Sequence, residues 1–270
     1  MRLQAVILDW AGTVIDHGSR APMGAFVRAF AQFGVAIDIA DARGPMGMAK
    51  WDHIRAVGHA PKVAAAWRAR HGRDFAEADV QAIFEVFEPM NVAAVRDHAD
   101  LIPGAVAAIQ AVRAKGLLVA ATTGYTRPIL DQVAPIAAAA GYAPAFTVCA
   151  GDLPAGRPSP LMMWYAMAKL GVWPAETVVK VDDTAPGIGE GVAAGTWTIG
   201  LALTGNAVGL SAEELAALSD AERAPLRAKA EAELFAAGAD LVIDSIADLP
   251  SALTTIEARL AAGQKPNQGR

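Results

Sequence analysis

The chain has 270 residues, of which 54% are hydrophobic and 19% charged, and its formal net charge is −5 at pH 7. This composition is typical of a globular protein with a sizeable core, and the negative charge argues against a nucleic-acid partner. Cys149 is the only cysteine, which excludes an intramolecular disulfide and fits a reducing, cytoplasmic location. The sequence shows no signal-peptide pattern and no apolar run of about 18 to 20 residues, so we expect no membrane span.

The first predicted element is a short buried strand that ends in a carboxylate. Val6-Ile7-Leu8 is an apolar run typical of a parallel strand, and Asp9 follows it directly. Ala11 and Gly12 allow the backbone to approach a bound anion closely. Ligands of open α/β sheets bind beyond the carboxyl ends of strands, so Asp9 is expected to face a crevice. Taken alone, the pattern also fits an aspartate that caps a turn after the strand.

Residues 34–100 contain no convincing strand pattern. Helices are predicted at 23–33, 44–57, 60–70 and 76–95. Such a block predicts an all-helical cap domain over residues 19–99, inserted after the first strand. Its first helix is apolar nearly all round, which indicates burial on both sides, either within the helical domain or against a second subunit.

From Leu101 onward, helices and strands alternate. Strands are predicted at 117–122, 146–149, 177–181, 196–201 and 241–243. Their spacing predicts right-handed βαβ units and a doubly wound parallel sheet, an α/β core domain made of residues 1–18 and 100–270. A capping-box pattern, Ser211-x-x-Glu214, predicts the start of a long helix over 211–237, and residues 265–270 are predicted to be disordered.

Polar residues stand where the predicted strands end. Asp9 ends the first strand, Thr123 the second, and Asp182 and Asp183 a later one, with Arg157 between the last two. Carboxylates that face one crevice repel each other unless a cation joins them, and Mg²⁺ is the usual hard cation of phosphate chemistry. The hydroxyl and guanidinium would add donors for phosphoryl oxygens. An aspartate in this setting can attack phosphorus and carry the phosphoryl group.

The sequence resembles the haloacid dehalogenase superfamily in four ordered motifs. These motifs are Asp9-Trp-Ala-Gly-Thr13, Thr123-Gly124, Arg157-Pro158 and Asp182-Asp183-Thr184. Phosphatases of that superfamily typically carry a second aspartate two places after the nucleophile, and here that place is Ala11. A phosphate-ester hydrolase would therefore lack its general acid, which favours carbon over oxygen as the leaving atom.

The predicted helical block supplies a candidate reaction partner. Met46, Lys50 and His53 would share one helix face, since about 100° per residue places them within roughly 60° of one another. Apolar surroundings favour the neutral amine of a lysine, and a neutral amine can form an imine with an aldehyde. The alternative is a solvated helix lysine beside a core methionine.

Together with Ala11, the segment Met46-Gly-Met-Ala-Lys50-Trp-Asp-His53 resembles the phosphonatase branch of the superfamily, over nearly the whole chain. The resemblance implies cleavage of phosphonoacetaldehyde to acetaldehyde and phosphate with Mg²⁺, in a homodimer formed through the cap domain. It implies that Asp9 is the nucleophile and that Lys50 forms the Schiff base. The other implied roles are metal binding by Asp9, the Ala11 carbonyl and Asp183, phosphoryl binding by Thr123, Gly124 and Arg157, desolvation of Lys50 by Met46, and proton transfer by His53 and Tyr125.

The sequence leaves three points open. Asp182 could take the place of Asp183 as the metal ligand, although family placement favours Asp183. An acid sometimes found four residues after the metal-binding aspartate is replaced by Gly187. The rival functions are a Mg²⁺-dependent phosphatase or phosphomutase acting on a small ester, and a binding module without catalysis.

Overall fold

The computed structural model describes residues 1–267, and within them a single parallel sheet forms the centre of the fold. Its strands are β1 (Ala5–Leu8), β2 (Leu118–Thr123), β3 (Thr147–Cys149), β4 (Val178–Asp182), β5 (Trp197–Leu201) and β6 (Leu241–Ile243). They lie in the order β3-β2-β1-β4-β5-β6, and every neighbouring pair is parallel. The predicted doubly wound α/β fold is confirmed.

Helices occupy the connections between these strands. Between β1 and β2 lie α1 (Ala21–Gln32), α2 (Ile39–Arg43), α3 (Lys50–His59), α4 (Pro61–His71) and α5 (Glu77–Val95). The later helices are α6 (Ala105–Ala114), α7 (Arg127–Ala139), α8 (Leu161–Leu170), α9 (Ala185–Ala194), α10 (Ala212–Ala217), α11 (Asp220–Ala237) and α12 (Leu249–Ala261).

Strand β1 is the centre of the sheet and is buried on both faces. Val6 and Leu8 belong to one cluster of buried side chains, whereas Ala5 and Ile7 belong to the cluster on the other face. This alternation follows from the two-residue period of a strand. Leu8 is level with a residue of β2 and with a residue of β4, so the carboxyl ends of the three strands meet at one edge.

Helices α1–α5 build a cluster of buried side chains of their own, separate from those of the sheet. In it, Phe26 of α1 stacks on Phe87 of α5 at a ring-centroid distance of 4.2 Å. Phe26 and Phe30 are fully buried within this one chain. Packing inside the helical block therefore accounts for the face of α1 that carries Phe26 and Phe30.

The helix predicted to run from residue 44 to 57 begins only at Lys50, and the short helix α2 before it was not predicted. Residues 44–47 form turns instead, and Gly47 has a φ of 93°, which a continuous helix cannot contain. Met46 is therefore not on the same helix as Lys50 and His53, and that part of the prediction is wrong.

The single long helix predicted over 211–237 is two helices, α10 and α11. Ser211 starts α10 with the predicted capping box, in which Ser211 Oγ accepts from Glu214 N at 3.1 Å. Leu218 then has an extended ψ of 143°, and a second capping box on Ser219 and Glu222 starts α11. The sequence Ser219-x-x-Glu222 carried this second signal.

Two further predictions concern the chain ends and membranes. Asn267 donates its backbone N–H to Asp240 Oδ1 at 2.8 Å, so the described part of the predicted disordered tail is attached to the core. Residues 268–270 of that tail lie outside the described residues. Among residues 1–267, no helix combines the length and the apolar character that a membrane crossing requires.

Candidate active site

Asp9 lies directly beyond the carboxyl end of β1, at the centre of the sheet edge. Its backbone N–H donates to the Val181 carbonyl oxygen at 3.0 Å, which continues the sheet pairing and fixes the side chain's direction. The carboxylate is 5% exposed and accepts from Arg157 Nη2 at 2.8 Å. Burial raises the pKa of Asp9 to about 6, and the nearby Arg157 limits that rise.

Arg157 binds the floor of the same site through several oxygens. Its Nη2 also donates to the Thr122 carbonyl oxygen at 2.6 Å, and its Nε donates to Glu190 Oε2 at 3.1 Å. Burial opposes the charge, but the carboxylates of Asp182, Asp9 and Glu190 together raise the pKa of Arg157. The guanidinium is therefore a fixed cation beside the Asp9 carboxylate.

Two buried charged residues that the site predictions omitted complete this network. Lys180 Nζ lies 2.7 Å from Thr122 Oγ1, 3.1 Å from Asp182 Oδ2 and 3.2 Å from Glu190 Oε2. Lys180 and Glu190 are both fully buried. Their sequence signal was a lysine inside the apolar strand Val178–Asp182 and a glutamate inside the apolar helix Ala185–Ala194, since buried charges require partners.

Three carboxylates at this edge are arranged as a group that can hold a cation. One oxygen each from Asp9, Asp182 and Asp183 lies within 4.8 Å of the others, and all three residues are buried. Burial, Asp182 and Asp9 raise the pKa of Asp183 well above its usual value. A hard divalent cation would offset this repulsion, so the donor set fits Mg²⁺.

The surroundings of the two adjacent aspartates differ. Asp182 Oδ2 lies 3.3 Å from Arg157 Nη1 and 3.1 Å from Lys180 Nζ, and its Oδ1 accepts from Thr184. Asp183 accepts hydrogen bonds from Thr13 Oγ1 and from the backbone of Asn206. Within residues 1–267, no cationic side chain forms an ion pair with Asp183. The geometry therefore favours Asp183 over Asp182 as the carboxylate that needs a metal.

Gly187 lies in the first turn of α9, four residues after Asp183. A Cβ at Gly187 would lie 2.0 Å from Cγ of Asp182, which is far inside van der Waals contact. The Asp182 carboxylate, held by its two cations, thus occupies the space that a side chain at position 187 would need. A side chain at position 187 therefore has no room beside Asp182 in this arrangement.

We expect Gly187→Ala to lower the free energy of unfolding by about 1–3 kcal/mol, because the added methyl group overlaps the buried Asp182 carboxylate. Urea denaturation followed by circular dichroism measures the change. Gly24→Ala is the matched control, since Gly24 also lies within a helix, α1, and a Cβ there would meet only the end of the exposed Arg28 side chain. Equal unfolding free energies for wild type and Gly187→Ala would contradict the packing described here.

Lys50 is the first residue of α3, and its side chain is buried in the site. The residue is 3% exposed, and its Nζ lies 3.9 Å from Met46 Sδ. The Phe26 and Tyr125 ring centroids lie 5.7 Å and 6.0 Å from the same nitrogen. Burial lowers the pKa of Lys50 to about 8, although the Asp9 carboxylate acts in the opposite direction. This environment is that of a readily deprotonated amine.

The turn before α3 fits directly onto the sheet edge. A Cβ at Gly47 would lie 2.2 Å from Thr184 Oγ1, and a Cβ at Gly124 would lie 2.8 Å from the Met48 carbonyl oxygen. The inserted segment therefore contacts the loops that follow β2 and β4. Met46 lies in this turn, outside α3, and contacts Lys50 because the turn packs against the sheet edge.

One pocket contains most of the residues predicted for the site. It has about 300 Å³ of space free of protein atoms, including the solvent at its mouth. Predicted residues in its wall are Asp9, Ala11, Met46, Lys50, Thr123, Gly124, Tyr125 and Arg157, and further wall residues are Ser19, Pro22, Gly47 and Thr184. Amine and carboxylate therefore open onto the same space. Asp183 is not part of this wall. It belongs to the carboxylate group with Asp9 and lines a second pocket, which shares Met46 and Thr184 with the first.

His53 is placed differently from the other predicted residues, because it does not line the pocket. It is fully buried, stacks on Phe26 at 4.0 Å, and has Nε2 within 2.6 Å of the Ala42 carbonyl oxygen. Since a carbonyl oxygen only accepts, Nε2 carries the hydrogen. Burial and the nearby Lys50 hold the pKa of His53 well below its usual value. Its Nδ1 has no hydrogen-bond partner in the described part of the chain.

Comparison with known proteins places this site in a family. The family model "haloacid dehalogenase-like hydrolase" matches residues 3–195. The chain is 50% identical over 264 residues to phosphonoacetaldehyde hydrolase from Paraburkholderia phytofirmans, covering 98% of this chain and 99% of the relative. It is 48% identical over 267 residues to the enzyme of that name from Klebsiella pneumoniae, with 98% and 99% coverage.

Solved structures agree with the sequence relatives. A crystal structure of a phosphonoacetaldehyde hydrolase-like protein from Oleispira antarctica superposes with a TM-score of 0.96 at 42% identity, covering 98% of this chain and 96% of the other. The chain belongs to the haloacid dehalogenase-like hydrolases and is an enzyme of that class. Within the class, it is a member of the phosphonoacetaldehyde hydrolase family.

Proposed function

We propose that this enzyme hydrolyses the P–C bond of phosphonoacetaldehyde to acetaldehyde and phosphate, through an imine on Lys50 and a phosphorylated Asp9. The observation that carries the proposal is the single pocket onto which the buried Lys50 amine and the Asp9 carboxylate both open. Relatives of that name, at about half identity over nearly the full length, support the choice of substrate.

The first half-reaction needs an acceptor for electrons, because direct P–C cleavage would expel a carbanion. The neutral Lys50 amine attacks the aldehyde carbon, water leaves, and the resulting imine is protonated on nitrogen. Asp9 then attacks phosphorus as the P–C bond breaks. The electron pair of that bond forms a carbon–carbon double bond, and the π electrons of the iminium group move onto nitrogen. The carbon fragment is then an enamine attached to Lys50. No acid is needed at position 11 for this leaving group.

The second half-reaction restores both side chains. The enamine is protonated on carbon, and water hydrolyses the resulting imine, which releases acetaldehyde and the free amine of Lys50. A second water molecule attacks the phosphorus of the aspartyl phosphate, which returns the Asp9 carboxylate and yields phosphate. We propose that Tyr125 and His53 transfer protons during imine formation, since Tyr125 Oη and His53 Nδ1 are buried without hydrogen-bond partners in residues 1–267.

The remaining pocket residues would hold the phosphoryl group. Arg157 supplies a fixed guanidinium beside Asp9, and Thr123 with Gly124 lies at the end of the neighbouring strand β2. Donors held in place before the reaction stabilise the charge on the phosphoryl oxygens without reorganisation. Met46 would exclude water from the Lys50 amine, which its sulfur contacts.

We propose Mg²⁺ as the cofactor, held by a carboxylate oxygen of Asp9, the Ala11 carbonyl oxygen and Asp183. The grouped carboxylates and the raised pKa of Asp183 support a divalent cation at this position. When bound, such a cation offsets the negative charge that the nucleophile and the phosphoryl oxygens bring together. Asp182 would remain paired with Arg157 and Lys180 and would contribute to the outer shell of the metal.

We further propose that residues 19–99 act as a cap domain on a core made of residues 1–18 and 100–270. The separate cluster of buried side chains in α1–α5 supports this division. Assembly as a homodimer through the cap and a cytoplasmic location are parts of the same proposal. Size-exclusion chromatography with light scattering tests the dimer, and a monomer would contradict it.

The direct test is phosphate release from phosphonoacetaldehyde by the purified full-length chain, with Mg²⁺ and after its removal by EDTA. We expect stoichiometric acetaldehyde and phosphate with Mg²⁺ and no turnover without it. Borohydride added during turnover should trap an adduct on Lys50. Hydrolysis of small phosphate esters, without an adduct and without P–C cleavage, would favour a phosphatase or phosphomutase instead.

The trapping reaction should also depend on pH in a defined direction. Because burial places the pKa of Lys50 near 8, the amine is mostly protonated and unreactive below that pH and mostly neutral above it. We expect the initial rate of adduct formation to rise with pH and to level above about 8. Rapid borohydride quenching and intact-mass measurement follow the adduct. A midpoint near 10.5, the ordinary value for lysine, would show that the amine is not desolvated.

A further inference from the structure

The loop of residues 202–211, between β5 and α10, connects the metal-site carboxylate to the inserted helices. The backbone N–H of Asn206 donates to Asp183 Oδ2 at 2.7 Å. The same residue is held by Arg43, at the end of α2, whose Nη1 lies 2.8 Å from Asn206 O and 3.0 Å from Asn206 Oδ1. The Asn206 amide donates back to the Arg43 carbonyl oxygen at 3.3 Å.

Arg43 also contacts the segment that leads into α1. Its Nη1 donates to the Gly18 carbonyl oxygen at 2.9 Å, and the Gly18 N–H donates to the Thr204 carbonyl oxygen at 2.8 Å. One guanidinium nitrogen therefore joins three parts of the chain: the entry to α1, helix α2 and the 202–211 loop. Arg43 is only partly exposed, and a Cβ at Gly209 would lie 2.5 Å from its Cζ, so the group is closely packed.

We propose that Arg43 is a positioning residue that makes the metal affinity of Asp183 depend on the docking of α2, and that it acts through Asn206. The inference rests on the proposed function, because it takes Asp183 as a metal ligand. When α2 is docked, Arg43 holds Asn206 so that its N–H orients the Asp183 carboxylate. When α2 moves away, the loop loses this support. Removing groups that orient a metal ligand typically weakens binding 10- to 100-fold.

Mn²⁺ serves as the probe, and its binding to the full-length chain without substrate is measured from the electron paramagnetic resonance signal of the free ion. We expect Arg43→Met to raise the Mn²⁺ Kd about 10-fold, because methionine keeps the length but provides no donors. Arg68→Met is the matched control, since Arg68 is an exposed arginine of the same helical block that pairs with Asp74, and it should leave the Kd unchanged.

A double-mutant cycle with Arg43→Met and Asn206→Ala tests whether Arg43 acts through Asn206 or only stabilises the site in general. Asn206→Ala removes both side-chain contacts with Arg43 but keeps the backbone N–H that donates to Asp183. We therefore expect it to raise the Mn²⁺ Kd less than Arg43→Met does. The combined variant should bind Mn²⁺ no more weakly than Arg43→Met alone, because both changes break one connection. Additive losses, or a wild-type Kd in Arg43→Met, would overturn the inference.

Two further variants distinguish a failure of this inference from a failure of the proposed metal site. Asp183→Asn tests the proposed function itself: if it binds Mn²⁺ as tightly as wild type, the metal assignment fails, whatever Arg43 does. If Arg43→Met does not fold, Asn206→Ala alone decides, since an unchanged Kd would overturn the inference and a raised Kd would support it. The borohydride adduct on Lys50 should persist in Arg43→Met.

Discussion

Replacing Lys50 with arginine is expected to abolish P–C cleavage, with a loss in kcat/KM of at least about 10⁴-fold, while the chain stays folded. A guanidinium keeps the positive charge but cannot form an imine with an aldehyde, so the departing carbon has no electron acceptor. Phosphate and acetaldehyde release from phosphonoacetaldehyde measure the loss. Borohydride trapping with intact-mass detection should at the same time show no adduct.

Lys62→Arg is the matched control, because Lys62 lies in the same helical block but is exposed and paired with Asp38 and Asp41. It should keep full activity and the adduct on Lys50. Circular dichroism and thermal unfolding check that Lys50→Arg remains folded. Wild-type turnover by a folded Lys50→Arg enzyme would remove the imine from the mechanism and favour direct phosphoryl transfer.

Asp9→Asn is expected to cause a comparable loss of turnover, at least about 10⁴-fold, for a different reason. The amide occupies nearly the same volume but cannot attack phosphorus, so no phosphorylated enzyme forms. Imine formation at Lys50 does not require the Asp9 nucleophile. Borohydride should therefore still trap an adduct in Asp9→Asn, with the phosphonate group retained, and its mass identifies the unbroken P–C bond.

The control for this variant is Asp52→Asn, which alters a partly exposed aspartate that pairs with Arg55, and we expect it to turn over normally. Acid quenching during steady-state turnover should show a phosphorylated peptide containing Asp9 in wild type and none in Asp9→Asn. If Asp9→Asn kept its turnover, or if the phosphoryl label appeared on another residue, Asp9 would not be the nucleophile.

The parallel sheet could be predicted from the sequence because its strands are short, largely apolar runs, two of which lead directly into a carboxylate of the site. Val6-Ile7-Leu8 before Asp9 shows the pattern, and β4 before Asp183 shows it again. The hydrophobic effect makes burial of such runs favourable, and the two-residue period then fixes which side chain faces which cluster. The capping box of α10 is similarly local, since it involves only residues 211–214.

The errors arose where local rules compete with tertiary contacts. Residues 44–49 do not form a helical turn, because the turn at Gly47 docks onto Thr184, far away along the chain. Helical periodicity therefore predicted correctly that Met46 lies beside Lys50. It was wrong that the two residues share a helix. Lys180 was left out of the site because Arg157 fits the position of the phosphate-binding cation better. Glu190 was missed because a single charged residue in an apolar helix does not reveal its partner.

The sequence by itself determined the fold class and the types of side chain that meet at the sheet edge, because strand burial and motif order are properties of nearby residues. Only the tertiary structure decided that the amine of Lys50 opens onto the same pocket as Asp9, that Asp182 is matched by two cations while Asp183 is not, and that Arg43 reaches Asn206. Those relations join residues that are distant along the chain, such as Arg43 and Asn206, or depend on the balance of all the charges around a buried group. Packing and electrostatics in a buried site, and not local pattern, set them.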